Sequence, residues 1–425
     1  MIYQFKSLFI RIIFLSSQML ISSCASDKPS ENSLSVGAAF GIINPAPGDF
    51  IAGDRNNRKF SGVHDPLFVK AVVVSDSQHT VAIITVDCIG LLYPTLLEIR
   101  EAVARQISPE LLDPSHIVSS STHTHSGPDV VGLWGQNQQS SGVNTEYMQR
   151  LVQIAAAKII EAFEQKQPAE LHYAETTYGE DWVYNISKPE ELDRSLGVLQ
   201  FTDLNGNSIA TLTNFACHPT FMDGTNDEVS SDFIGGFYEA MDQELGGTNQ
   251  YLQGSIGGWV QPEYEEKSFP NAFKRGRELA DAVLSSLKNS KATVSTDIQF
   301  NRSVFSLPVS NEGFRQLASM GVIDRAITDS VETEIAWFRV GDAEFITHPG
   351  ETSPVYSLES KKLMNTTGPK FVLGLGMDGL GYIVTPDFFD AENEIPHSEY
   401  LTGMSVDKNA GEIILQVIES LTNPE

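Results

Sequence analysis

Residues 120–128 read Ser-Ser-Thr-His-Thr-His-Ser-Gly-Pro and follow an apolar run. In an extended chain, residues two apart point the same way, so His123 and His125 are expected to share a face. Two neutral imidazoles on one face suit a transition metal, Zn2+ above all. Gly127-Pro128 breaks the strand just beyond and leaves the pair at a strand end, where sites are open. A bare His-x-His also occurs as surface or hydrogen-bonded core histidines, so the pair needs partners. Residues 214–220, Asn-Phe-Ala-Cys-His-Pro-Thr, offer one. There His218 either completes a nitrogen set or caps its strand. In His-Pro-Gly-Glu-Thr at 348–352, Glu351 stands at a strand-to-helix junction. A carboxylate there either stabilises a helix N-terminus or gives an oxygen to a metal. Residues 374–382, Gly-Leu-Gly-Met-Asp-Gly-Leu-Gly-Tyr, lack the Gly-Lys-Ser/Thr ending of a phosphate loop. Such glycine density lets backbones approach closely and turns Tyr382 inward, towards a site or into the core.

The elements that position these residues are legible from periodicity. β-branched runs at 69–74 and 81–86 read as strands joined by the polar turn Ser75-Asp76-Ser77-Gln78. Pro94 opens a helix, where its missing N–H costs nothing, and Leu96, Ile99, Val103 and Ile107 follow at helical spacing. Residues 116–120 form a short strand. Met148, Leu151, Ala155, Ile159 and Ala162 make the stripe of a second helix. Asn205-Gly206 and Gly341-Asp342 each mark a hairpin. Helices are expected over 233–245, 272–287 and 409–421. Strands, hairpins and helices intermix with no linker-like break. The expectation is therefore a single large α/β domain over 36–425, with a mixed β-sheet core flanked by helices.

With 28 Lys+Arg against 55 Asp+Glu the net charge is −27, which repels phosphate backbones and disfavours nucleic acid as a partner. Residues 1–24 read as an export signal: Lys6 and Arg11, an interrupted apolar stretch, then Leu-Ile-Ser-Ser-Cys. That ending resembles a bacterial lipobox, in which Cys24 becomes the lipidated first residue. The chain is thus expected in the bacterial cell envelope, tied to the membrane through a lipid anchor. Residues 25–35 then form a flexible tether. Cys88 and Cys217 remain, as two separate buried thiols or as one disulfide.

The motif Thr-His-Thr-His-Ser-Gly-Pro at 122–128 resembles that of the neutral/alkaline non-lysosomal ceramidase family. The likeness recurs in order at Gly-Val-His-Asp-Pro-Leu (62–67), Val86-Asp87, residues 214–220, Gly350-Glu351 and Gly-Tyr-Ile-Val-Thr-Pro (381–386). The resemblance implies a Zn2+-dependent amidase of mixed α/β fold acting on an N-acylated, ceramide-like lipid. It makes His123, His218, Glu351 and Tyr382 the zinc ligands and His125 the base or proton shuttle beside the bound water.

The sequence also departs from the family. Asn185-Ile186-Ser187 stands where the family has Asn-Arg-Ser, so Ile186 replaces an oxyanion-stabilising Arg. Residues 254–262 lose the Asp and Ser of the family's loop, and Phe388-Phe389 falls where a second active-site Tyr is expected. Zinc, or another cation such as Arg315 or Arg325, must then do more of the electrostatic work, and long-chain ceramide is expected to be a poor substrate. Two other readings stand beside the amidase: hydrolysis of a different amide or ester, and a non-catalytic, metal-retaining surface lipoprotein that binds lipid or glycan.

Overall fold

A computed structural model describes residues 34–224, 226–264 and 266–423. The export signal, Cys24 and most of the tether lie outside these residues. The tether reading is corrected at its end: Leu34–Ile42 is already a strand, paired antiparallel with Phe68–Ser75, so residues 34 and 35 belong to the fold. Leu34 and Val36 are apolar and buried, which ties this end of the strand to the core.

The larger sheet has nine strands. From one edge eight of them run Thr248–Gln253, Ser208–Phe215, Ser195–Asp203, Gln167–Thr177, Leu34–Ile42, Phe68–Ser75, Thr80–Val86 and Ile117–Ser121, and the ninth, Lys291–Ala292, pairs beside this path with Gln167–Thr177. The last two of the eight pair in parallel, as do the first two; the others are antiparallel, so the sheet is mixed. Each expected hairpin forms. Asp76 closes the first by accepting from the backbone N–H of Gln78 and His79, a side-chain turn typical of Asp. Gly206 closes the second at φ +83°, a region closed to most side chains.

A second, four-stranded sheet runs Ile298–Pro308, Ser330–Val340, Ala343–Thr347 and Lys370–Leu373. Phe338, Phe345 and Phe371 stack across it with ring centroids 4.5 and 4.4 Å apart. The outermost of these, Phe371, lies against Gly197 of the larger sheet, where a Cβ would sit 3.2 Å from the ring. The two sheets therefore share one apolar core. Helices Tyr93–Ala104 and Thr145–Glu164 cover one part of the larger sheet, Phe233–Glu244 and Phe269–Leu287 another, and Pro354–Leu363 with Ala410–Thr422 cover the smaller one. No helix among the described residues is long and apolar enough to cross a membrane. Cys88 and Cys217 are both free and buried, so the disulfide is not formed.

Candidate metal centre and active site

His123 and His125 do come together, but not by strand alternation. The strand Ile117–Ser121 ends before them, and His123 adopts the left-handed conformation at φ +69°. A single αL residue reverses the chain locally, so the pairing of faces expected from an extended segment does not apply. Backbone bonds hold the turn: Thr122 and His123 donate to the carbonyls of Val86 and Cys88. The two rings meet edge to face with centroids 5.0 Å apart, and His218 lies 4.9 Å from His123.

The proton positions follow from the partners. His123 Nδ1 lies 2.5 Å from the carbonyl of Ile89, and His218 Nδ1 lies 2.8 Å from that of Val260. A carbonyl only accepts, so both rings donate through Nδ1 and turn Nε2 into the site. Glu351 Oε2 meets these two atoms at 3.4 and 3.0 Å. Three acceptor atoms thus converge in a buried space, an arrangement that needs a cation or shared protons at its centre. Burial alone would push the Glu351 carboxyl up, yet His123 and His218 hold it well below the usual carboxylate range. Burial and then Glu351 push the Tyr382 hydroxyl well above its ordinary value. Ring nitrogens of His123, His125 and His218 lie within 4.8 Å of one another. This donor set, two or three imidazoles with a carboxylate, fits a borderline-soft dication.

Glu351 does not cap a helix. It pairs with Tyr382 in a two-residue parallel ladder, Glu351–Thr352 against Tyr382–Ile383, and Ser353 precedes the helix instead. The glycine-dense loop acts as expected. A Cβ on Gly374 would lie 2.0 Å from the Gly254 carbonyl, so only glycine lets these loops pass. Asp378 anchors the loop by accepting from Tyr93 N, Thr333 Oγ1 and both Arg325 terminal nitrogens. Tyr382 is delivered inward, and its hydroxyl accepts from Trp259 Nε1 at 2.7 Å. The cluster therefore takes His123 and His218 from ends of the larger sheet, and Glu351 and Tyr382 from segments that follow strands of the smaller one.

Several residues escaped the sequence reading. Gln253, fully buried, ties the two histidine segments together. Its Nε2 donates to the carbonyls of Thr122 and Cys217, both at 2.9 Å, and its Oε1 accepts from the N–H of Cys217 and Gly254 at 3.1 Å. Asp223 Oδ1 lies 3.3 Å from His125 Nδ1, with Arg58 Nη1 at 4.0 Å behind it. Burial would raise this carboxyl, but His125, Lys267 and Arg58 bring it down to about 2. Neither His125 ring nitrogen has a hydrogen-bond partner among the described residues. Gly53, at φ +114°, packs on the His125 ring, where a Cβ would come within 2.7 Å. An acid five residues after His218 and an isolated Gln carry no spacing signal, so only the tertiary contacts reveal them.

Three expectations are corrected. Ile186 lines neither cleft at the cluster; its N–H donates to the Trp259 carbonyl. Among the described residues no arginine lines either cleft. Arg325 is committed to Asp378 at 2.7 Å, and Arg315 pairs with Glu312 and Asp329, so neither serves the site. Phe388 is buried beside Tyr382, while a second tyrosine, Tyr400 on the helix Ser398–Gly403, reaches both clefts with its ring centroid 6.1 Å from that of Tyr382.

Residues 52–276, more than half of the chain, match the model of the neutral/alkaline non-lysosomal ceramidase N-terminal region. The chain belongs to this family. The matched segment carries His123, His125 and His218, and Glu351 and Tyr382 lie beyond it. Among ceramidases with curated names, neutral ceramidase B of Dictyostelium discoideum is 28% identical over 192 residues, 40% of this chain and 26% of that protein. Neutral ceramidase of Pseudomonas aeruginosa is 22% identical over 188 residues, 41% of this chain and 28% of that protein. These alignments thus span only about a quarter of the relatives' own length. The crystal structure of the Pseudomonas aeruginosa neutral ceramidase superposes with a TM-score of 0.73 over 92% of this chain and 75% of that one, at 16% identity. A ceramidase complexed with C2 gives 0.76 over the same shares, at 14% identity. The ceramidase fold is therefore shared at low identity, as a divergent member of the family.

Proposed function

We propose that the chain is a zinc-dependent hydrolase of the amide bond in an N-acylated, ceramide-like compound, with His123, His218, Glu351 and Tyr382 as the ligands. The convergence of two Nε2 atoms and one carboxylate oxygen, with both Nδ1 protons engaged by carbonyls, is the observation that carries this reading. When bound, zinc lowers the pKa of its water towards about 7 and polarises an amide carbonyl. His125 stands beside the ligands with a free ring nitrogen, where it takes a proton from water and returns it to the leaving amine. Asp223, with Oδ1 3.3 Å from Nδ1, orients that imidazole. Trp259 fixes the Tyr382 hydroxyl through its indole N–H. Elemental analysis of the purified protein and an N-acyl substrate panel test the proposal. Stoichiometric zinc that vanishes in His123→Ala and His218→Ala, with amine released from at least one N-acyl compound, is the expected result. Full zinc occupancy in both variants would refute the ligand assignment, and zinc without hydrolysis of any panel member would favour a metal-retaining binding protein.

We propose further that Cys24 is lipidated and tethers the domain to the bacterial envelope, on the strength of the Leu-Ile-Ser-Ser-Cys ending. Mass spectrometry of the native N-terminus tests it; an unmodified Cys24 or a mature start elsewhere sinks the claim.

A further inference from the structure

Two clefts meet at the histidine cluster and differ in kind. His125 and Tyr382 border both, so a bond broken beside them has one cleft on each side. The first is an apolar chamber of about 60 Å³ that includes Ile89, Val131, Phe314 and Leu375. It does not end there. Leu133, Trp134, Tyr400 and Met404 wall both the chamber and a groove of about 460 Å³ beyond it. The groove adds Leu317 and the half-exposed Met320, and its surface is mostly apolar, although Asp54, Asn56 and three glutamines also border it. A methylene that leaves water for apolar surface gains about fourfold in affinity. Chamber and groove together therefore form a track for one long hydrocarbon chain.

The second cleft, about 260 Å³, offers a chain no such track. Among the described residues no Val, Leu, Ile, Met or Phe lines it. Asp54, Asp223, Thr220 and Gln261 do, beside the histidines and the rings of Trp259, Tyr382 and Tyr400. Asp223 Oδ1 is buried with no hydrogen-bond partner among the described residues. Arg55 and Arg58 stand near the two acids, 2.6 Å from Asp54 and 4.0 Å from Asp223, but neither lines the cleft. An alkyl chain laid here would strip water from both carboxylates and so lose much of what its methylenes gain. Amide hydrolysis fixes which half goes where. Water oxygen bonds to the carbonyl carbon, the C–N bond breaks, and the nitrogen gains both water protons, giving a carboxylate and an ammonium group. The carboxylates of Asp54 and Asp223 attract that ammonium and the apolar chamber does not. The amine half therefore lies in the second cleft and the acyl half in the first.

We propose that this site selects N-acyl amines with a single long chain, carried on the acyl half and laid along chamber and groove, and a short hydrophilic amine half, so that an amide with a long chain on each half fits poorly. The inference rests on the amide-hydrolase reading and narrows its substrate class. The test compares two isomers, the dodecanoyl amide of aminobutanol and the butanoyl amide of aminododecanol, with the two-chain dodecanoyl amide of aminododecanol. All are presented in mixed micelles at one mole fraction and assayed by release of the primary amine. The isomers have the same composition and partition nearly alike, so their ratio reports the site. Wild type is expected to cleave the dodecanoyl isomer with a kcat/KM at least about tenfold above that of either other compound. Met320→Gln, which makes the groove more polar, is expected to lower the ratio of dodecanoyl to butanoyl isomer about threefold, and Gln261→Leu, which gives the second cleft an aliphatic wall, to lower it by about as much. Calorimetry on the zinc-loaded protein supplies a readout without turnover: octanoate is expected to bind at least about tenfold more tightly than acetate, and Met320→Gln to narrow that gap. Equal or reversed rates for the isomers in wild type, a two-chain amide cleaved as fast as the dodecanoyl isomer, an unchanged ratio in both variants at wild-type Tm, or octanoate binding no tighter than acetate overturns the inference. Cleavage of no member overturns the amide-hydrolase reading, and this narrowing with it.

Discussion

Replacing Gln253 perturbs the cluster without touching a candidate ligand. In Gln253→Ala, the carbonyls of Thr122 and Cys217 and the N–H of Cys217 lose the carboxamide partners that hold them. Each buried polar group left unpaired costs about 1–3 kcal/mol. Water entering the vacated space recovers part of this, so a net loss of about 4 kcal/mol is expected. The unfolding entropy of a chain this long, at about 2.1 cal/mol/K per residue, is on the order of 0.9 kcal/mol/K. The expected fall in Tm is therefore about 4–5 °C, read by calorimetry on the metal-free protein. Zinc affinity, read by chelator competition, should fall by about 10–100-fold, because the residue next to each of His123 and His218 has lost its tie. Gln253→Glu separates packing from hydrogen bonding. Its protonated carboxyl can still donate to one carbonyl, but the ionised form faces two carbonyl oxygens. Its folded pKa is thus raised, so its contribution is retained at low pH and lost as pH rises through that value. Near wild-type stability at pH 5 and a deficit at pH 8 are expected. A Gln253→Ala protein with Tm within about 1 °C of wild type and unchanged zinc affinity would refute this account of how the histidines are held.

Asp223→Asn should retain zinc and lose about 10–100-fold in kcat, with Asp223→Glu partly restoring it; kinetics beside elemental analysis decides, and an unchanged kcat refutes the positioning role. Gly53→Ala forces a Cβ to 2.7 Å from the His125 ring at an unfavourable φ, so activity should fall while zinc stays bound. Burial pushes the Asp232 carboxyl up to about 7 from an ordinary 3.8, whereas in the unfolded chain it ionises near its ordinary value. Its penalty is absent at low pH and grows as pH rises from about 4 to 7, so Asp232→Asn should flatten the decline in Tm across that window. Parallel pH–Tm curves for the two proteins would contradict it.

The hairpins and long helices were legible because their signals are local. Asn205-Gly206, Gly341-Asp342 and Pro94 each specify their own turn or helix start whatever surrounds them. The stripe ending at Ala162 likewise belongs to a helix that ends two residues later, at Glu164. The candidate ligands were legible through an ordered family likeness, and the structure brings all four together. Their geometry was not. Alternation placed His123 and His125 on one face, but a single αL residue does that work. The acid beside His125, the tie at Gln253 and the second tyrosine at Tyr400 depend on contacts across tens to hundreds of residues, which no local period encodes. Ile186 is the opposite case: its position was inferred from a motif, and it lines neither cleft.

The cluster draws His123 and His218 from one sheet and Glu351 and Tyr382 from segments after strands of the other. An ion held by all four is then a clasp between two layers, in a protein whose two described cysteines remain apart. Such a clasp exists only in the native state. At free ion concentrations a thousand times the dissociation constant it adds about 4 kcal/mol to the unfolding free energy. Zinc supply would then govern how much folded protein persists, as well as how fast it turns over substrate. Chelation would age the molecule before it merely silenced it.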